Sequence, residues 1–247
     1  LGDKASRSLP GPAIALLLAA LTVVLLVVTG LPLRYADTAW AGWMFALMGG
    51  PIGRAFLHRV GAVMMIGLSL YHVGFLLGTP RGRYELRELI PTKKDLVDLV
   101  HHLLYYLALR REPPRFGRFA YHEKFEYLAV VWGTVIMATT GLMLWFEVRA
   151  MAYFPKWVLD VCRVVHSYEA LLAVLAIIIS HLYHVHLRPG AFPMSRVWLD
   201  GRISESEMKE HHPLEYEALV STACPAEEPT APAAPEPPAR AEEEGTP

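Results

Sequence analysis

The stretch VCRVVHSYEALLAVLAIIISHLYHVHL, Val161 to Leu187, decides how the chain is read. It matches the roughly 20 apolar residues needed to cross a bilayer, yet it carries four histidines: His166, His181, His184 and His186. Ionisable side chains inside a span are expensive and mark a functional site by default. His166 and His181 are fifteen residues apart, about 22 Å along a helix at ~1.5 Å per residue. That separation suits two stacked redox centres, one near each face of a membrane.

Composition agrees with a membrane setting. The 247 residues are 53% hydrophobic, with a mean hydropathy of +0.30, high for a soluble domain and ordinary for a small helical membrane protein. A formal net charge of −1 gives no electrostatic reason to expect nucleic acid as a partner. Cys162 and Cys224 lie in different regions and suggest no disulfide framework. The absence of C-x-x-C-H excludes covalent c-type haem, and the absence of C-x-x-C clusters argues against resident zinc or iron–sulfur sites.

The expected fold is all-α: an integral membrane four-helix bundle with an amphipathic helix between spans two and three. After a polar N-terminus (1–12), the spans are expected at about 13–33, 56–78, 125–146 and 158–187. The first is too long for a signal-peptide core and lacks a small-residue cleavage site, so a retained helix is expected. Trp40 and Trp43 sit in the first connection as interfacial aromatics would. Within the segment 79–123, apolar residues recur at helical spacing from Lys93 to Leu109, as in a helix lying on the membrane surface. A polar segment (188–223) follows span four, and the tail (224–247), rich in Pro, Ala and Glu, is expected to be disordered.

Positive charge orients the bundle. The segment joining spans two and three holds nine Lys or Arg, against two in each other connection (Arg34 and Arg54; Arg149 and Lys156). The basic segment is therefore expected in the cytoplasm, together with both termini.

Spans two and four then run parallel, from outside to inside. His58 matches His166 near the outer face, and His72 matches His181 near the inner face. Spacings of fourteen and fifteen residues rotate by roughly −40° and +60° at about 100° per residue, keeping each pair on one side of its helix. Two facing helices with histidines at two matched depths can hold two b-type haems through axial imidazoles. His184, about 27 Å from His166 along a regular helix, is the alternative inner ligand. Gly61, Gly67 and Gly74 on span two are candidates for the haem slot. Arg54, Arg59 and Arg163 at the outer site, and Arg81, Lys124 and Arg188 at the inner one, are candidate propionate partners. At the entry to span three, Tyr121, His122 and Glu123 are candidates for binding a quinone carbonyl and passing protons; Glu123 equally suits a helix start, where negative charge is favoured. His101 and His102 read as surface residues.

Several segments carry a family resemblance: VTGLPL at 28–33, LHRVGAVMM at 57–65, GRFAYHEK at 117–124, TGLMLWF at 140–146, His166, and ISESEMKEHHPLEYE at 203–217. The chain resembles the cytochrome b (gamma) subunit of membrane-bound respiratory formate dehydrogenases. It is also similar to the wider prokaryotic diheme b-type cytochromes that serve hydrogenases and related complexes. The resemblance implies an outer haem on His58 and His166, and an inner haem on His181 with a span-one histidine. Span one has no histidine here, which leaves His72 as the substitute. The family's amide-rich quinone motif is replaced by Ala120, His122 and Glu123.

The function expected is a multi-pass respiratory cytochrome of the bacterial cytoplasmic (inner) membrane. It would be lipid-embedded and would carry electrons between an iron–sulfur partner with its catalytic subunit and the quinone pool. The alternatives are a stand-alone quinol-oxidising cytochrome b, a hydrogenase or sulfur-compound reductase subunit, and a haem-free scaffold or transporter.

Overall fold

The computed structural model describes residues 10–187, 192, 194 and 203–223. Arg188, the expected disordered tail and most of the polar N-terminus lie outside the described residues. No strand occurs among the described residues, and four helices are long and apolar enough to cross a membrane: Ile14–Arg34, Gly50–Gly78, Tyr121–Trp145 and Lys156–Leu187. The protein is an all-α membrane bundle.

Helix α1 (Pro10–Arg34) is apolar around its circumference, and its two threonines satisfy themselves internally. Thr22 donates to the Leu18 carbonyl and Thr29 to that of Leu25, each at 2.7 Å, so neither buried hydroxyl goes unpaired. Pro32, in the last turn, has no N–H to give to the carbonyl four residues back. The Thr29 carbonyl in that turn accepts from Arg54 Nη1 at 3.1 Å. A short helix α2 (Ala39–Leu47) carries Trp40 and Trp43, and leads through Gly49 and Gly50 (φ 81° and 79°) into α3 (Gly50–Gly78). Those left-handed torsions suit residues without a Cβ.

Helix α1 packs along α3, and α6 (Tyr121–Trp145) packs along α8, making two hairpins. After α7 (Glu147–Ala150), helix α8 is regular over Lys156–Ala176. It then widens to π-type turns over Ile177–His181 and Tyr183–Leu187. Gly61 lets α1 come close: a Cβ there would lie 3.0 Å from Leu26 Cδ2. Leu70, Trp132 and Ile179 are exposed, as side chains facing hydrocarbon are.

The opposite end from the tryptophans is basic and carries a second layer: α4 (Pro80–Leu89), α5 (Lys93–Tyr106), α9 (Glu205–His211) and α10 (Pro213–Ala223). Helix α5 is inside-out by the standard of soluble proteins. Asp95 and Asp98 are buried while Leu96, Val97, Val100 and Leu103 are exposed. The Asp95 carboxylate caps the helix by accepting from Thr92 N at 2.6 Å, and also pairs with the buried Lys124 of α6 at 3.1 Å. Its apolar face, a shallow groove lined by Leu96, Val97, Val100 and Leu104, is turned outward.

The C-terminal helices fasten the loop that leads into α6. Leu214 N donates to the Phe116 carbonyl at 3.1 Å, and His212 Nδ1 to that of Gly117 at 2.9 Å. Arg118 bridges Glu85 and Glu215, and Arg115 pairs with Glu217.

Candidate functional site

At the tryptophan end, His58 of α3 and His166 of α8 come together, with ring centroids 6.4 Å apart and planes at 73°. Each imidazole is held from behind by a threonine of the helix paired with its own. A hydroxyl has one hydrogen, and Thr29 gives it to the Leu25 carbonyl, so the Thr29 oxygen accepts from His58 Nδ1 at 2.8 Å. Thr140 likewise donates to the Ile136 carbonyl at 2.6 Å and accepts from His166 Nδ1 at 2.9 Å. Both rings are thereby held in the tautomer that keeps the Nε2 lone pair available, the arrangement of a metal-ligating histidine with its supporting partner.

Glycines follow both threonines. A Cβ on Gly30 would stand 3.4 Å from His58 Cε1, and one on Gly141 3.0 Å from His166 Cε1. Larger residues at either position would crowd the imidazole. Arg54, one turn before His58 on α3, reaches the Thr29 carbonyl beside this site. Arg59 lies over the Trp145 ring at 5.3 Å, and Arg163 pairs with Asp160 and Glu147.

The inner histidines are arranged differently. His72 Nε2 meets the Tyr127 hydroxyl at 3.1 Å. Among the described residues, no hydrogen bond or ring contact joins His72 to His181, which is exposed. The widened turns account for this: winding from i to i+5 advances less than 100° per residue, which moves His181 off the face a regular helix would give it. His184 instead stacks on His122, with centroids 5.0 Å apart and planes at 17°. It donates from Nδ1 to the Ser180 carbonyl at 2.9 Å, and lies 3.6 Å from Glu126 Oε1. Glu126 also takes a hydrogen bond from the Ser180 hydroxyl.

At the entry to α6, the Tyr121 hydroxyl meets His102 Nδ1 at 3.1 Å. His102 stacks on Tyr106 at 4.5 Å, so it belongs to a half-buried aromatic cluster, in contrast to the surface position expected. Burial beside His101 holds its pKa below the ordinary histidine value. The Glu123 carboxylate caps α6 by accepting from Ala120 N at 2.7 Å. Lys124 is held by Asp95. Gly61 faces α1, while Gly67 and Gly74 have open space beside them.

Thr29 and Thr140 went unnoticed in the sequence, although a repeat announces them. Thr-Gly-Leu occurs at 29–31 in span one and at 140–142 in span three, each threonine meeting the first histidine of the next span. Leu-Tyr-His-Val then occurs at 70–73 and again at 182–185. The two hairpins therefore carry the same ordered signals, and the second signal gives His72 and His184 corresponding places in the two hairpins.

The chain belongs to the prokaryotic cytochrome b561 family, whose model matches residues 17–190. No curated protein matches the sequence. Membership makes it a membrane b-type cytochrome that carries electrons and binds haem b. The outer residues fit that group. His58 and His166 stand 6.4 Å apart with each Nδ1 held by a threonine, a pair of imidazoles that would hold a haem iron between two helices.

Proposed function

We propose that the protein is a dihaem cytochrome b subunit of a respiratory oxidoreductase. It carries electrons between an iron–sulfur partner docked at the tryptophan end and the quinone pool at the basic end, in the manner of a formate dehydrogenase gamma subunit. The carrying observation is the His58–His166 pair, whose closeness and threonine-held tautomer leave two imidazoles that would hold one haem. Haem supplies the one-electron couple when bound. The chain orients the imidazoles through Thr29 and Thr140 and keeps Gly30 and Gly141 clear of them.

A second haem would be held at the basic end, by His72 from span two. Regular helical spacing points to His181 on span four. The Leu-Tyr-His-Val repeat, and the hydrogen bond from His184 Nδ1 to the Ser180 carbonyl, favour His184. The wider turns also shorten the rise per residue, bringing His184 closer to the depth of His72. His122 and Tyr121, beside this site, would bind the quinone. Glu126 and His102 extend the titratable path toward the cytoplasm. The basic end is cytoplasmic by the distribution of Lys and Arg, in the bacterial inner membrane.

Quinol-dependent haem reduction tests this reading. A short-chain quinol should reduce the haem of the purified protein, and His184→Ala should remove one haem and slow the reduction of the other at least tenfold. Failure of quinol to reduce wild-type haem would overturn the quinone assignment. Retention of both haems in His184→Ala would return the inner ligand to His181.

A further inference from the structure

Glu169 lies in span four, three residues past His166, about 4.5 Å deeper along the helix. Its carboxyl faces Gly133 of span three, where an added Cβ would sit 2.9 Å from Glu169 Oε1. Gly133 is twelve residues from either end of α6, and so marks mid-depth of the bundle. Glycine weakens a helix interior by about 1 kcal/mol relative to alanine, and here its missing side chain makes the room the carboxyl occupies. Among the described residues, Glu169 has neither hydrogen bond nor ion pair.

The hairpin repeat shows that packing does not call for this acid. Three residues past His58 the first hairpin has Gly61, packed against Leu25 and Leu26. The second hairpin reverses the sizes, an acid against glycine.

The surroundings leave Glu169 alone at its depth. Span three has no ionisable residue between Tyr127 and Glu147, and span one has none from Ile14 to Leu33. Arg34, at the end of span one, is turned to Ser167 and lies over the Tyr168 ring at 4.2 Å. On span two, His58 faces His166, and Tyr71 and His72 lie deeper. On span four, the nearest titratable groups are Arg163, His166 and Tyr168 on the outer side and His181 on the inner side.

We propose that Glu169 is a proton-binding site at mid-depth in the membrane, filled and emptied as the outer haem site is reduced and oxidised. One electron delivered by the donor adds one negative charge to the outer site. One proton from water converts the Glu169 carboxylate to the carboxylic acid, and reoxidation releases both. The acid sits close enough to the His58–His166 pair for its charge to be felt, because apolar surroundings screen little. This inference rests on the haem reading of those two histidines.

Redox titration of the purified haem-loaded protein from pH 5.5 to 9 tests it, with the infrared carboxyl band recorded in reduced-minus-oxidised spectra. In wild type the outer midpoint potential should fall as pH rises, and a protonated-carboxyl band should grow on reduction. Glu169→Gln should flatten the potential profile and remove the band while the haem spectrum persists. Glu169→Asp should restore a displaced profile, and Gly133→Ala should shift the band by crowding the carboxyl. An unchanged slope and band in Glu169→Gln would overturn the proposal, as would a pH-independent potential in wild type. Loss of haem in wild type would instead overturn the haem reading.

Discussion

Thr29 and Thr140 matter as much to the outer site as the histidines they hold. The oxygen of each accepts a hydrogen bond from the Nδ1–H of its histidine at 2.8 or 2.9 Å, while its own hydroxyl donates to a carbonyl one turn back. Valine would keep the shape and lose the acceptor, leaving a buried N–H unpaired. Thr29→Val or Thr140→Val should weaken haem retention about 10–100-fold, the range for losing a partner behind a metal ligand, as read by haem transfer to apomyoglobin. Undiminished retention would show that the threonines only pack. The histidines themselves were legible because an imidazole is out of place in apolar sequence. The threonines were not, since Thr in a span ordinarily bonds its own helix, and Thr29 does that as well. Glu126 and Glu169 were hidden for another reason: single acids carry no spacing by which to pair them.

At the scale of the elements, α5 shows what hydrophobic periodicity can and cannot settle. Its apolar stripe marked an amphipathic helix, but the stripe faces outward and the acids face in. The buried partner that decides this, Lys124, lies 29 residues from Asp95 and could not be paired by local spacing. Asp95→Ala should leave that ammonium buried and unpaired, at about 3–5 kcal/mol, measured as a lower midpoint in thermal unfolding of the detergent-solubilised protein. Burial pushes the Asp95 pKa up, but hydrogen bonds from Thr92 and Lys124 outweigh it and hold the carboxyl below its ordinary 3.8. A depressed carboxylate contributes stability above its unfolded value and loses it as pH falls through the folded one. The gap between wild type and variant should therefore be full at pH 7 and close below pH 3.8; a gap independent of pH would contradict the ion pair. In span four the sequence pattern implies a regular pitch to Leu187, whereas the chain takes π-type turns over Ile177–His181 and Tyr183–Leu187.

The whole molecule is two hairpins side by side, each carrying Thr-Gly-Leu on its first span and a histidine at matching depth on its second. The four spans were readable from apolar length alone, and the outer pair from matched depth. The inner end was less readable because its geometry depends on helix winding and on aromatic contacts from α5 and α6. The central claim is that His58 and His166 jointly hold one haem of two, and the most direct measurement is haem per chain in the purified protein. Wild type should hold about two, and His58→Ala and His166→Ala should each lose the same one while the other keeps its spectrum and potential. A wild-type protein without haem, or a His166→Ala variant that keeps the haem lost in His58→Ala, would contradict the account.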